Sequence, residues 1–379
     1  MVLLALNLRA AVGSLGVLLG PVSDALGMSA TVGGVLTTLP VLCFAGFGVF
    51  TNPIVRALGL HRTAGFAIGL ITVGLAARAL SDSTWVFVAT SALALAGGAV
   101  GNVILPPLVK LHFPNRVGTV SALYTASIMA GGSLSAMITV PVANAAGGWR
   151  AGLMIWAVTA AATMLPWLGL LRHDVRAATR VRSGIGFSTV IRSPLAWVMA
   201  VFFAMQSAQA YAQFGWLPRM LVDAGLASDT AGLVQGILTG VGIPMALSLP
   251  YLMRRLGDRP YLPWLFGVLT IVGWFGVLYA PTAAPWLWAV LLGIAGSAFP
   301  WVMTMLGYRT RSHDGTAAMS SFVQGIGYLF AAVGPFGTGL LHDVTGSWTI
   351  PVYALAALGV GIIVLGTVIC RPTMFEDQI

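Results

Sequence analysis

Residues 53–59 read "PIVRALG" and residues 250–257 read "PYLMRRLG". Allowing one residue of slip, the second repeats the first: proline, a short apolar turn, arginine, then Leu-Gly. Working outward, Pro21 stands 32 residues before Pro53 and Pro218 stands 32 before Pro250, so the two pairs are offset by 197. The same offset carries Gly118-Thr119 onto Gly315-Thr316, and "GGW" at 147–149 is answered by "GSW" at 346–348 after a slip of two. Each match is short, and chance competes as an explanation in a chain with 47 Gly and 20 Pro. Their agreement at nearly one offset makes an internal duplication the better reading.

Composition says what is duplicated. Of 379 residues, 58% are hydrophobic and 8% charged, with a mean hydropathy of +0.92; a soluble domain carries about 25% charged residues. Apolar runs of roughly 20 residues, each long enough to cross a bilayer as a helix, recur twelve times, centred near residues 12, 41, 71, 95, 130, 160, 206, 240, 270, 295, 329 and 359. The offset spans six runs, so each half returns to the same side of the membrane and the repeats are parallel, related by an axis along the membrane normal. The expected fold is an all-α membrane protein of 12 transmembrane helices in two pseudo-symmetric six-helix bundles. Residues 1–171 form the first bundle, 172–192 a basic cytoplasmic linker, 193–371 the second bundle and 372–379 a cytoplasmic tail.

Net charge is +9, and 15 of the 19 Lys and Arg fall in the even-numbered connections and the tail. Arg56 and Arg62, Lys110 and Arg116, the linker arginines, Arg254, Arg255 and Arg259, Arg309 and Arg311, and Arg371 make up this set. By the positive-inside rule these segments and both termini face the cytoplasm. The basic balance is a topology signal, and its distribution excludes nucleic acid as a partner. The first run has no basic segment before it and no clear cleavage site after it, so it reads as a retained span, with a natural start upstream of Met1 left open. Cys43 and Cys370 lie far apart in apolar runs, which suits packing rather than a disulfide or a metal site. No cofactor is expected, and the partners expected are a small-molecule substrate and the lipid bilayer, with the carrier a monomer.

Three stretches, "NLRAAVGSLGVLLGP" from residue 7, "QSAQAYAQFGWLPRML" from residue 206 and "GYLFAAVGPFGTGLLHDVTGSW" at 327–348, together resemble the cyanate and 2-nitroimidazole permease family of the major facilitator superfamily. The resemblance runs over nearly the whole chain. It implies an alternating-access carrier in which helices 1, 2, 4, 5, 7, 8, 10 and 11 line a central cavity and helices 3, 6, 9 and 12 support them. It also implies gating by the basic loops at Arg56 and at Arg255, Asp258 and Arg259. The second of these keeps "GDRP" (257–260), whereas the first, "TNPIVRALGLHRTAG" (51–65), lacks the Asp.

The amides test the division of helices. Asn7, Asn102, Gln206, Gln209, Gln213, Gln235 and Gln324 fall in runs 1, 4, 7, 8 and 11, and none in runs 3, 6, 9 or 12. Amides facing lipid would forfeit hydrogen bonds, so these belong on interior or wet surfaces. Gln206, Gln209 and Gln213 share an i, i+3, i+7 face, with Tyr211 on another. Cavity lining and interhelical glue are both open to them, and Gln206 with Gln209, nearer mid-helix, are the preferred ligand candidates.

"LALNLRAAVGSLG" (4–16) holds a fixed charge inside an apolar run. Arg9 lies roughly 12 Å into it at 1.5 Å per residue. It either snorkels to the headgroups or serves as a planar donor for a small anion, nitro or carboxylate group. All ten Asp and Glu and all five His lie at run ends or connections, so no acid in the membrane can pair with it. The same absence narrows the mechanism to facilitated transport, a weak acid carrying its own proton, or a loop-end group such as Asp24 drawn inward. Arg78, Arg150 and Arg219 read as structural, Arg78 through an exposed i, i+4 pair with Asp82.

Tyr124, Trp301 and Tyr328 could flank a planar cargo, although packing accounts for each singly. Met129, Met205 and Met303 read as filler. The expected site is Asn7, Arg9, Asn102, Tyr124, Gln206, Gln209, Gln324 and Tyr328, with Ser127, Gln213, Gln235 and Trp301 lining the cavity. No HExxH, paired aspartates or Ser with His falls in the membrane, which excludes the usual embedded enzymes. A drug exporter of the same fold is the alternative; its customary Gly-Pro is missing from "ALYTASIMAGGSLSAMITV" in run 5, which favours uptake across a prokaryotic inner membrane.

Overall fold

The repeated segments end on glycines that share a positive φ. Gly59 (φ 88°) and Gly257 (φ 60°) close "RALG" and "RRLG", and Gly147 (φ 91°) and Gly346 (φ 66°) turn the chain at "GGW" and "GSW". A positive φ is costly for residues with a Cβ, which is why the repeat keeps glycine at these corners. In the computed structural model, which describes residues 1–170 and 187–378, they separate twelve membrane-crossing helices. The first six are α1 (Val2–Leu26), α2 (Ala30–Leu58), α3 (Leu60–Ala79), α4 (Thr84–His112), α5 (Val117–Ala145) and α6 (Trp149–Leu170). The second six are α7 (Pro194–Asp223), α8 (Ser228–Leu256), α9 (Tyr261–Tyr279), α10 (Pro285–Tyr308), α11 (His313–Ala331 with Val333–Thr345) and α12 (Thr349–Ile369). Most of the expected linker, 172–192, falls outside the described residues.

Eleven of the twelve are long and apolar enough to span a bilayer as single stretches, and α11 crosses as two pieces joined at Ala332. Two others are interrupted inside: α1 at Leu8–Arg9 and α10 at Gly296–Ser297. Interrupted helices free backbone polar groups, which membrane proteins tolerate only where protein or a cavity covers them.

The cores show how the two bundles meet. Toward the basic connections each bundle has its own core, one built on residues such as Ile68, Leu105 and Trp167 and the other on Phe203, Phe266 and Phe322. Toward the opposite end a single core runs through both, joining Leu18, Leu36 and Val140 to Trp216, Leu221 and Trp274. Trp216 of α7 wedges the junction, its indole donating to the Pro335 carbonyl at 2.9 Å beside Gly33 of α2 and Gly339 of α11.

Two hydrogen-bonded latches cross between bundles at this far end. The Thr31 backbone N–H at the start of α2 donates to Asp343 Oδ2 of α11 at 2.6 Å, and the Thr31 hydroxyl donates to the same oxygen. Asn144 at the end of α5 donates to Asp229 Oδ1 at the start of α8, at 3.1 Å. In the repeat, α2 corresponds to α8 and α5 to α11, so the second latch is the pseudo-symmetric counterpart of the first. Toward the basic end, Gly46, Gly307 and Gly325 face open space. The bundles share a core at the far end and have separate cores at the basic end.

Candidate functional site

Where α1, α5, α7, α8, α10 and α11 converge lies a cavity of about 90 Å³. Arg9 enters it from the break in α1, with φ −107° and ψ −4°. The carbonyl of Arg9 accepts from both Val12 and Gly13 as the helix restarts, and the guanidinium carbon sits 5.4 Å from the centre of the Phe214 ring. A cation over an aromatic face is attracted by roughly 0.5–2 kcal/mol, which holds the group in place without neutralising it. No described residue gives Arg9 an ion pair or a side-chain hydrogen bond, and the cavity lining contains no Asp, Glu or His.

The other polar groups point to the same chemistry. Gln206 lines the cavity and donates to the Gly296 carbonyl at the break in α10, at 3.2 Å. Ser207 Oγ and Gln213 Nε2 also belong to lining residues, are buried, and have no hydrogen-bond partner. Thr239 faces in from α8 but spends its hydroxyl on the Gln235 carbonyl. An aromatic wall completes the site: the Tyr211 and Tyr328 ring centres are 6.5 Å apart, and Phe44 stacks on Tyr328 at 6.0 Å. One fixed cation and aromatic faces suit an electron-rich, compact ligand. About 90 Å³ is room for a few heavy atoms, well below the ~300–1,000 Å³ typical of drug-sized sites.

Of the expected site residues, the structure brings together Arg9, Gln206, Gln213 and Tyr328 and adds Ser207, Tyr211 and Phe214. Asn7 stands elsewhere. Its amide donates to Thr163 Oγ1 at 2.9 Å and to the Leu3 carbonyl, and its oxygen accepts from Thr159, so it ties α1 to α6 on the face away from the cavity. So does Gln209: it donates to Thr270 of α9 and to Gln206, and accepts from the Trp274 indole. A step of three residues along a helix turns the side chain about 60° off the face, and α9 supplies the partners. Tyr211, placed on a different face from the glutamines, nevertheless reaches the cavity, because α7 presents a broad inner surface from Gln206 to Phe214.

The remaining candidates stand outside the cavity lining. Trp301 packs on Phe202 at 5.1 Å in the second bundle's core. Asn102 is exposed on α4. Tyr124 packs half-buried in the first bundle's core, and Ser127 donates to the Leu123 carbonyl. Gln324 donates to Ser320 on its own helix. Gln235 is fully buried with neither amide atom bonded.

Arg78 departs furthest from its reading as an exposed partner of Asp82. It is 1% exposed and donates to the Ala11 carbonyl at 3.0 Å and to Ser14 Oγ at 3.2 Å, over the Phe87 ring. Asp82 pairs with Arg150 instead. Arg78 thus clamps α1 directly after the break that presents Arg9.

At the basic end, Asp258 of the "GDRP" loop pairs with the buried Arg309 at 2.6 Å. Arg255 and Arg259 are exposed, and the Arg56 side chain lies outside the described residues. The tail closes over this corner. Phe375 is buried, Asp377 takes both terminal nitrogens of Arg311, and Gln378 Oε1 accepts from Ser193 and the Leu195 N–H at the start of α7. Partial burial pushes the Glu376 carboxyl upward, but the Arg311 and Ser312 N–H groups and the Ser312 hydroxyl together hold it below the usual glutamate range.

Comparison with known proteins gives this geometry its context. The sequence model of the Major Facilitator Superfamily matches residues 1–318. The chain is 30% identical to the 2-nitroimidazole transporter of Escherichia coli (strain K12) over 96% of its own length and 92% of that protein. It is 28% identical to the cyanate transport protein CynX of the same organism, over 96% and 95% of the two chains. In three dimensions it superposes on a mutant form of the nucleoside transporter NupG with a TM-score of 0.81 at 12% identity, covering 97% of this chain and 98% of that one. With twelve helices in two bundles and a closed far end around a central cavity, the chain belongs to the Major Facilitator Superfamily, beside the cyanate and 2-nitroimidazole permeases, and is a multi-pass membrane transporter rather than an enzyme.

Proposed function

We propose that the protein is an alternating-access carrier for a small anion or a compact, electron-rich planar solute, with Arg9 as the principal ligand. The observation that carries the reading is Arg9 in the central cavity, without a carboxylate partner and beside the unpaired donors of Ser207 and Gln213. A buried guanidinium needs an anion, carbonyls or water to balance it, and a planar monoanion supplies bidentate acceptors that match its fork. Support also comes from the cargoes named for the two relatives: cyanate is an anion, and a nitro-activated imidazole N–H is a weak acid.

Residues 1–171 rock against 193–371 about this site, with residues 172–192 and the tail 372–379 on the cytoplasmic side of the inner membrane. On this topology the state described is open to the cytoplasm, and the carrier works as a monomeric importer. The small cavity weighs against the alternative of a drug exporter.

The test is ligand-dependent melting of the purified protein and its Arg9→Gln variant with cyanate, nitrate and formate. A ligand at a hundred times its Kd stabilises the folded state by about 2.7 kcal/mol, a clear upward shift. The parent should respond to at least one anion and the variant to none. A variant that responds like the parent would sink the assignment.

A further inference from the structure

Resting on the Arg9 site, we propose that the carrier is an obligate anion exchanger: it passes between its two open states only with an anion beside Arg9, so each anion taken up is matched by one released. In the state described, Arg9 is half-buried and the bundles share no core at the basic end, so water can still reach the guanidinium. To switch, the basic end must close while the far end is still shut. Arg9 is then sealed in a chamber whose lining has no Asp, Glu or His. A guanidinium is a permanent charge in proteins. All ten carboxylates and all five histidines sit at helix ends or connections, too far off to neutralise it. The cavity beside Arg9 measures about 90 Å³ in the state described, room for a few waters rather than a hydration shell. The Phe214 face and the idle donors of Ser207 and Gln213 offer nothing negative.

An empty carrier therefore meets an unpaired buried cation at the midpoint of its return. A loaded one meets a neutral, hydrogen-bonded pair. The cycle balances: one negative charge moves in, one moves out, and Arg9 is paired on both strokes, so no net charge crosses the membrane. Proton coupling is not needed to drive it, since the outward gradient of any second small anion does so.

The test is flux in liposomes holding the purified protein, with [14C]cyanate outside and valinomycin with equal potassium on both sides to clamp the potential. One set contains unlabelled cyanate, another nitrate, and a third only gluconate. Uptake into the cyanate- or nitrate-loaded sets should exceed that into the gluconate set by about tenfold or more, the penalty expected for closing over a bare charge. Equal uptake into all three, with cyanate still raising the melting temperature, overturns exchange and leaves the Arg9 site standing. Stabilisation by cyanate with no flux in any set overturns exchange as well. If cyanate, nitrate and formate neither move nor stabilise the protein, the Arg9 reading itself fails and exchange falls with it.

Discussion

Two amides that look alike in sequence, Gln213 and Asn7, meet different surroundings in the fold. Gln213 has an amide nitrogen with nothing to bond, whereas Asn7 is bonded on both sides of its amide. Gln213→Ala should therefore leave the melting temperature of the empty protein almost unchanged while weakening its response to cyanate. Asn7→Ala should do the reverse, costing about 1 kcal/mol of stability, since interhelical polar contacts in membranes average about 0.6 kcal/mol each, with ligand response kept. Thermal unfolding with and without cyanate separates the two. The charge at Arg9 and the glutamines of α7 can be read from the sequence, and a period of 3.6 tells which residues of a helix lie near one side. How far each helix is rotated toward its neighbours is not written in that period. The partners that hold Asn7 and Gln209, Thr163 and Thr270, are hydroxyls on supporting helices, which the sequence does not announce, because a lone threonine in an apolar run ordinarily bonds its own helix. Arg78 and Asp82 are four apart, yet the carboxylate lies past the helix end, within reach of Arg150.

At the scale of the element, the twelve spans and the duplication could be read from hydropathy and from glycine–proline punctuation, because bilayer thickness and corner geometry constrain them tightly. The break in α1 could not, since "LALNLRAAVG" has no proline there to signal one. Close approaches of helices fix the state seen. A Cβ on Gly16 would fall 1.9 Å from the Phe214 carbonyl oxygen, across the closed far end between α1 and α7. Gly16→Ala should therefore push the bundles apart at that end. A spin-label pair on the far ends of α2 and α11 should report a population at longer distance that the parent lacks. Gly131→Ala meets the Leu6 carbonyl at 1.9 Å within one bundle; it should lower the melting temperature without lengthening that distance.

For the whole molecule, stability is spread unevenly between the two ends. At the basic end the tail is held by carboxylates, and Glu376 sits below its ordinary range. A carboxyl whose folded pKa is depressed stabilises the fold above its unfolded pKa, and the gain is lost as pH falls through the folded value. Glu376→Gln should lower the melting temperature modestly at neutral pH, and the gap from the parent should close on acidification below the ordinary glutamate range. At the far end the two latches carry a different lesson. Duplication alone would make the halves interchangeable, but the acids are distributed so that they are not. The second half brings Asp343 on α11 and Asp229 on α8, while the first brings Thr31 on α2 and Asn144 on α5. Two second halves facing each other would set Asp343 against the helix start that bears Asp229, carboxylate against carboxylate. Two first halves would meet with no carboxylate at all. Each half thus recognises the other and not itself, and the ancestral symmetry has become a lock and key within one chain.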